Sequence, residues 1–220
     1  MNIGVLRPSD KGRRARAESP CCCVFRSCGV NPGRETRHSC PMSLRLFAAL
    51  PVPEEIALRL TALQKGVPGA NWRSTEVMHI TLAFFGEVDD AAAEELDTGL
   101  AGIRCKPFDL AIKGAGHFGR AAPRVLWMGV EPHPSLLLLA NSCERAARRI
   151  GIPVEKRRFS PHVTMAYLGE TRLDRLLSFE RRLALYRSPD WCADRFYLYS
   201  SWKGGRGDNP YRIEAEYPLI

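Results

Sequence analysis

His79-Ile-Thr-Leu-Ala-Phe-Phe-Gly-Glu87 returns 83 positions later as His162-Val-Thr-Met-Ala-Tyr-Leu-Gly-Glu170. His, Thr, Ala, Gly and Glu are identical in the two copies. The other four positions exchange one apolar or aromatic residue for another. The chain holds only five histidines in 220 residues, so two in one shared setting mark an internal duplication. Each copy alternates in the manner of a strand. Side chains on a strand point to opposite faces in turn, so His79 and Thr81 share a face. The same alternation sends Ile80, Leu82 and Phe84 to a buried face. In the second copy His162 and Thr164 oppose Val163, Met165 and Tyr167. Two such strands place two imidazoles and two hydroxyls together.

Regular alternation begins at Met42 and continues to the end of the chain. Strands are expected at Leu44–Leu50, Val77–Phe85, Phe108–Lys113, Arg124–Val130, His162–Leu168, Arg195–Ser200 and Tyr211–Tyr217. Helical spacing covers Glu54–Lys65, Asp89–Ile103, Ser135–Ile150 and about Leu173–Leu185. The residues Gly114–Pro123 read as a loop. The halves run β-α-β-α-β-β and then α-β-α-β-β. This order predicts a bilobal duplicated α+β fold. Two antiparallel sheets would face a central groove, with helices on the outer faces.

Residues 1–41 have a different character. They hold eight Lys/Arg against three Asp/Glu, and five of the chain's eight cysteines. No helical or strand period is sustained there, so a disordered or dispensable N-terminal extension is expected, ahead of one two-lobed domain at 42–220. Cys21-Cys-Cys23, Cys28, His38 and Cys40 lack the paired spacing of a zinc site. The remaining Cys105, Cys143 and Cys192 are odd in number and far apart, which suits a reducing cytoplasm better than a disulfide framework. No apolar run approaches the ~18 residues of a membrane span. Residues 42–220 carry 24 Lys/Arg against 21 Asp/Glu. That mild excess fits transient contact with a short nucleic acid or nucleotide end, not the tight wrapping of a duplex.

Imidazole titrates near neutrality and serves as acid or base. Phosphodiester cleavage needs both services at once, together with donors for the non-bridging oxygens. A paired His-x-Thr supplies these without a metal. The other histidines lack the setting. His117 falls in the glycine-rich loop, His133 stands between prolines at a helix start, and His38 lies in the extension.

At these residues the chain resembles the two-histidine (2H) phosphoesterases, and within them the bacterial RNA 2′,3′-cyclic phosphodiesterases, also named 2′-5′ RNA ligases. Leu44-Arg-Leu-Phe-Ala-Ala-Leu-Pro51, the Trp72 segment, Pro123-Arg-Val-Leu-Trp127 and Phe159-Ser-Pro-His162 add to the likeness. The resemblance implies hydrolysis of 2′,3′-cyclic phosphate ends to 2′-phosphomonoesters, with no metal and no nucleotide cofactor, and reversal of related chemistry giving 2′-5′ joining. It implies His79 as proton donor and His162 as proton acceptor, with Thr81 and Thr164 on the phosphate. The sequence itself does not separate donor from acceptor. Many members carry Arg five residues after the second motif His, where this chain has Tyr167. Arg124, Arg157 and Arg158 are the candidate replacements. Phe84 and Tyr167 either stack a base or fill the core. A monomer acting on RNA ends is expected. The alternatives are a non-catalytic RNA-end or nucleotide-binding module, and a phosphodiesterase for small cyclic nucleotides.

Overall fold

Leu46–Leu50 forms the buried heart of the first strand, and it lies against the first His-x-Thr strand on one side and a C-terminal strand on the other. The computed structural model describes residues 44–119, 122–154, 158–201 and 209–220; the extension expected at 1–41 lies outside them, as does Arg157. In chain order the elements are β1 (Leu44–Pro51), α1 (Glu54–Thr61), β2 (Ala70–Trp72), a 3-10 turn (Thr75–Val77), β3 (His79–Val88), α2 (Asp90–Ala101), β4 (Phe108–Leu110), β5 (Ile112–Phe118), β6 (Val125–Val130), α3 (Pro134–Arg149), β7 (His162–Leu168), α4 (Leu173–Leu183), β8 (Trp191–Ala193), β9 (Arg195–Ser201) and β10 (Tyr211–Pro218).

The helices start and stop where local chemistry allows. Asp89 caps α2 by accepting the Ala92 N–H at 2.9 Å, which satisfies one of the orphan donors of the first turn. His133 does the same for α3 through Nδ1 and the Ser135 N–H at 3.2 Å. Its ring also stacks on Phe108, with centroids 5.0 Å apart, so His133 is structural, as its position suggested. Gly151, at φ 80°, follows α3 in the left-handed region that side chains avoid.

The duplicated α+β architecture is present, and its two halves meet edge to edge. β10, β9, β1 and β3 form one half-sheet; β7, β6 and β5 form the other, with β2 also on β7. Between β3 and β7 the ladder holds one pair, Ile80 with Val163. One antiparallel sheet of eight strands results, beside a two-stranded sheet of β4 and β8. Ile80 and Val163 are both fully buried, and one continuous apolar core runs beneath both halves. Helix α3 packs under β3 and helix α4 under β5. Short β2 crosses over: Ala70, Asn71 and Trp72 belong to the first half yet pair with Leu168, Tyr167 and Ala166.

Two expectations from alternation are overturned. The first concerns Phe84 and Tyr167, which strict period-two counting sends to the core. Both motif strands carry a bulge at the fourth motif residue. Ala48 and Ala49 pair with Ala83 and Thr81, so Leu82 has no partner. Leu126 and Trp127 pair with Ala166 and Thr164, so Met165 has none. An extra residue of this kind flips the alternation beyond it. Leu82 and Ala83 are consecutively buried, as are Met165 and Ala166. Phe84 is consequently 56% exposed and Tyr167 44% exposed.

The second correction is the loop expected over Gly114–Pro123. Its first part is strand, because β5 extends through Phe118 and pairs with β6. One glycine that suggested a loop, Gly116, makes room for a neighbour instead. A Cβ on Gly116 would lie 2.4 Å from Trp127 Cη2, so the indole lies across the strand only because that side chain is missing. His117 therefore sits in a strand, with Nδ1 2.6 Å from Glu180 Oε1 of α4. Gly116→Val is expected to displace Trp127 and lower unfolding free energy by ~1–3 kcal/mol, measured by urea denaturation with tryptophan emission. Unchanged stability and emission would contradict this packing.

Candidate active site

The pair Ile80–Val163 fixes what lies on either side of it. Continuing that antiparallel register by one residue sets His79 alongside Thr164 and Thr81 alongside His162. The two histidines are then diagonal neighbours across the joint, a relation that spaces Cα atoms by roughly 7–8 Å. All four motif side chains are half-buried, on the face opposite the fully buried Ile80 and Val163. The sequence reading placed them together, and the structure brings them together.

Each imidazole is oriented in the same way. Nδ1 of His79 lies 2.9 Å from the Val77 carbonyl, and Nδ1 of His162 lies 2.7 Å from the Ser160 carbonyl. A carbonyl only accepts, so each Nδ1–H donates and each neutral ring keeps its lone pair on Nε2. The 3-10 turn at Thr75–Val77 and the Phe159–Pro161 approach thus do equivalent work. Both fix a tautomer from two residues upstream.

The surroundings differ. His79 is enclosed by Phe47, Tyr199 and Tyr211, with ring centroids at 5.1, 6.0 and 5.1 Å. His162 meets Phe118 edge-on at 4.9 Å and Trp127 at 6.1 Å. Burial among its rings is the main cause that lowers the His79 pKa to about 4. The Val77 hydrogen bond works against that shift, while the charges of His162 and Arg73 reinforce it. Burial also pushes the Tyr199 phenol up to about 12 and raises Tyr211. His79 is accordingly neutral at pH 7 in the unliganded chain.

Two cavities adjoin these residues. The smaller, of about 120 Å³, is lined by Thr81, Phe84, Phe118, Arg158 and His162 among others. The larger, of about 1060 Å³, shares Phe118, Arg158 and Phe159 with it and reaches Trp127 and Leu136. A ligand larger than a phosphate has room to extend past His162. Arg158 is thus placed at the site, whereas Arg124 is exposed and lines neither cavity. Among the described residues no three His, Cys, Asp or Glu side chains gather into a metal-binding group.

Sequence reasoning missed Arg73 and the aromatic enclosure of His79. Arg73 directly follows β2, and its guanidinium carbon lies 5.4 Å from the Tyr167 ring centroid and 6.0 Å from that of Tyr211. Phe47, Tyr199 and Tyr211 come from three strands distant in sequence. The one sequence signal available for them was their place in aromatic-rich strands.

The neutral state of His79 couples stability to pH. A free imidazole protonates near 6.5 and this one near 4, so between those values the unfolded chain binds more protons than the folded one. Stability contributed by the neutral ring is present above pH 6.5 and is lost as pH falls toward 4. Relative to His79→Gln, the native chain should lose ~2–3 kcal/mol more over that interval, read from urea midpoints at each pH. Parallel pH profiles for the two proteins would contradict the burial argument.

Comparison with known proteins adds an independent line. The sequence pattern of the LigT like phosphoesterases matches twice, over residues 50–127 and 130–207. A Thermotoga maritima protein named RNA 2′,3′-cyclic phosphodiesterase is 36% identical over 129 residues, covering 56% of this chain and 68% of its own. A Geobacillus stearothermophilus protein of the same name is 34% identical over 127 residues, covering 54% of this chain and 40% of its own. The chain therefore spans two fifths of that relative's length. Escherichia coli LigT in apo form superposes with a TM-score of 0.67 at 27% identity, covering 80% of this chain and 98% of LigT. LigT complexed with 3′-AMP gives 0.65 at 26% identity, over 81% and 99%.

Proposed function

Since the chain belongs to the LigT-like phosphoesterase family, we propose that it hydrolyses RNA 2′,3′-cyclic phosphate ends to 2′-phosphomonoesters, using His79, Thr81, His162 and Thr164. The observation that carries this reading is the diagonal pair of imidazoles, each with Nδ1 tied to a carbonyl. Relatives named RNA 2′,3′-cyclic phosphodiesterase support the substrate class.

In this mechanism His162 takes a proton from water as its oxygen attacks phosphorus. The bond from phosphorus to the 3′-oxygen breaks, and His79 gives its proton to that oxygen. The 2′-ester remains. Thr81 and Thr164 donate hydroxyl hydrogen bonds to the non-bridging oxygens, where charge accumulates. His79 is neutral before substrate arrives, so it must gain its proton together with the ligand. A phosphate anion entering a poorly solvated aromatic enclosure favours the imidazolium, because an opposite charge nearby stabilises the charged form. With a 5′-hydroxyl as the nucleophile in place of water, the same steps form a 2′-5′ bond. Phe84 and Tyr167, turned outward by their bulges, provide stacking surfaces for bases, with Arg158 lining the same cavity as Phe84. The reaction is proposed to occur in the cytoplasm on a monomer, with no metal and no cofactor.

His79→Ala and His162→Ala are each expected to lower turnover of a 2′,3′-cyclic phosphate oligonucleotide by ~10²–10⁴-fold, with folding intact by circular dichroism. Thr81→Val and Thr164→Val should cost roughly 10²–10³-fold. Phe84→Ala and Tyr167→Ala should act mainly on KM. EDTA should leave the wild-type rate unchanged. Full activity in either histidine variant would refute the assignment. A LigT structure with 3′-AMP favours mononucleotides as the second substrate size. Comparing kcat/KM for mononucleotide and oligonucleotide cyclic phosphates decides between them.

A further inference from the structure

Arg73 precedes the first motif in sequence yet is fastened to the second. Its backbone N–H donates to the Met165 carbonyl at 2.9 Å. It shares a strand face with Asn71, whose ladder partner is Tyr167. That face is the one to which the bulge turns Tyr167. The guanidinium lies within cation–π range of both Tyr167 and Tyr211. Tyr211 in turn stands edge-on to His79 at 5.1 Å. Strands β2, β7 and β10 thus deliver one fixed positive charge beside the first imidazole.

Two features of this arrangement are unfavourable among the protein's own groups. Arg73 donates a hydrogen bond to the Tyr211 hydroxyl, but its Nη2 is buried without a hydrogen-bond partner, which leaves part of a charged group's desolvation uncompensated. No carboxylate pairs with Arg73 among the described residues. The charge also opposes protonation of His79, the imidazole that must carry a proton during turnover, and like charges repel. A structural tie between two tyrosine rings requires neither feature. An anion among the guanidinium and the two rings resolves both, since it supplies the missing acceptor and makes every neighbouring charge attractive.

We infer that Arg73 is a phosphate-binding residue of this site, supplying the fixed charge that holds the non-bridging oxygens of a cyclic phosphodiester between the two imidazoles. This deepens the phosphodiesterase reading and rests on it for the identity of the substrate. Tyr167 then serves as the platform that orients the guanidinium. The charge enters from β2 instead of from the motif strand, which explains how the second motif dispenses with an arginine of its own.

The test uses the full chain with Arg73→Met and Arg73→Lys. Binding of inorganic phosphate and adenosine 2′-monophosphate is measured by calorimetry at several salt concentrations, and kcat/KM is followed against pH. Arg73→Met should weaken both ligands at least tenfold and flatten their salt dependence, while Arg73→Lys should recover much of the affinity. Loss of the charge should also move the acidic limb of kcat/KM upward, because Arg73 opposes protonation of His79. Should Arg73→Met not fold, the Arg73→Lys data and the salt dependence of the native chain carry the test. Phosphate affinity and salt dependence unchanged in the substituted protein would overturn the inference, leaving Arg73 as a stacking tie. A native chain that binds phosphate through Arg73 but opens no cyclic phosphate would sink the substrate reading and leave this one standing.

Discussion

One buried contact, Ile80 against Val163, joins the two motif strands, and the site depends on its register. Side chains alternate with a period of two, so a slip of one residue at this joint would turn an imidazole from the open face into the core. The contact is short because the strands have other partners. β7 turns to β2 beyond Val163, and β3 is paired along its far side with β1. A joint of one pair still has a definite register, since both side chains are fully buried in a core common to the two halves. Apolar burial, not a long ladder of hydrogen bonds, therefore sets the spacing of His79 and His162.

The duplication gives equivalent backbones and unequal environments. In each half a carbonyl two residues upstream fixes the imidazole, and a bulge at the fourth motif residue turns the next-but-one aromatic outward. The rings added around each histidine break the symmetry. Phe47, Tyr199 and Tyr211 take His79 further from water than Phe118 and Trp127 take His162. Two similar imidazoles must perform opposite proton transfers in the proposed reaction, and unequal solvation is the means by which identical groups acquire different roles. The positive charge of Arg73 adds to that inequality.

Much of this was legible in the sequence. The repeated nine-residue phrase announced the duplication, and period-two alternation put His79 with Thr81 and His162 with Thr164. The same rule failed three residues later. A bulge is set by partner strands, which a single strand's pattern does not reveal, so Phe84 and Tyr167 were assigned to either the core or a base. Strands β2 and β8 have three residues each, too few for a period to emerge. Strand β5 was hidden by Gly114 and Gly116, which read as loop in isolation; in the fold Gly114 takes positive φ at an irregularity of the strand and Gly116 is clearance for Trp127. Arg73 carried no motif at all. Its meaning comes from the crossing of β2 to the second half, a fact of topology.

The central claim is that both imidazoles address one phosphate. Nitrogen-15 spectra of the histidine rings, recorded while adenosine 2′-monophosphate is titrated into the chain, test it most directly. The account predicts that the Nε2 resonances of His79 and His162 shift together, saturating at one ligand per chain, with His79 moving toward the imidazolium position. Movement of one ring alone, or two rings saturating at different ligand concentrations, would contradict it.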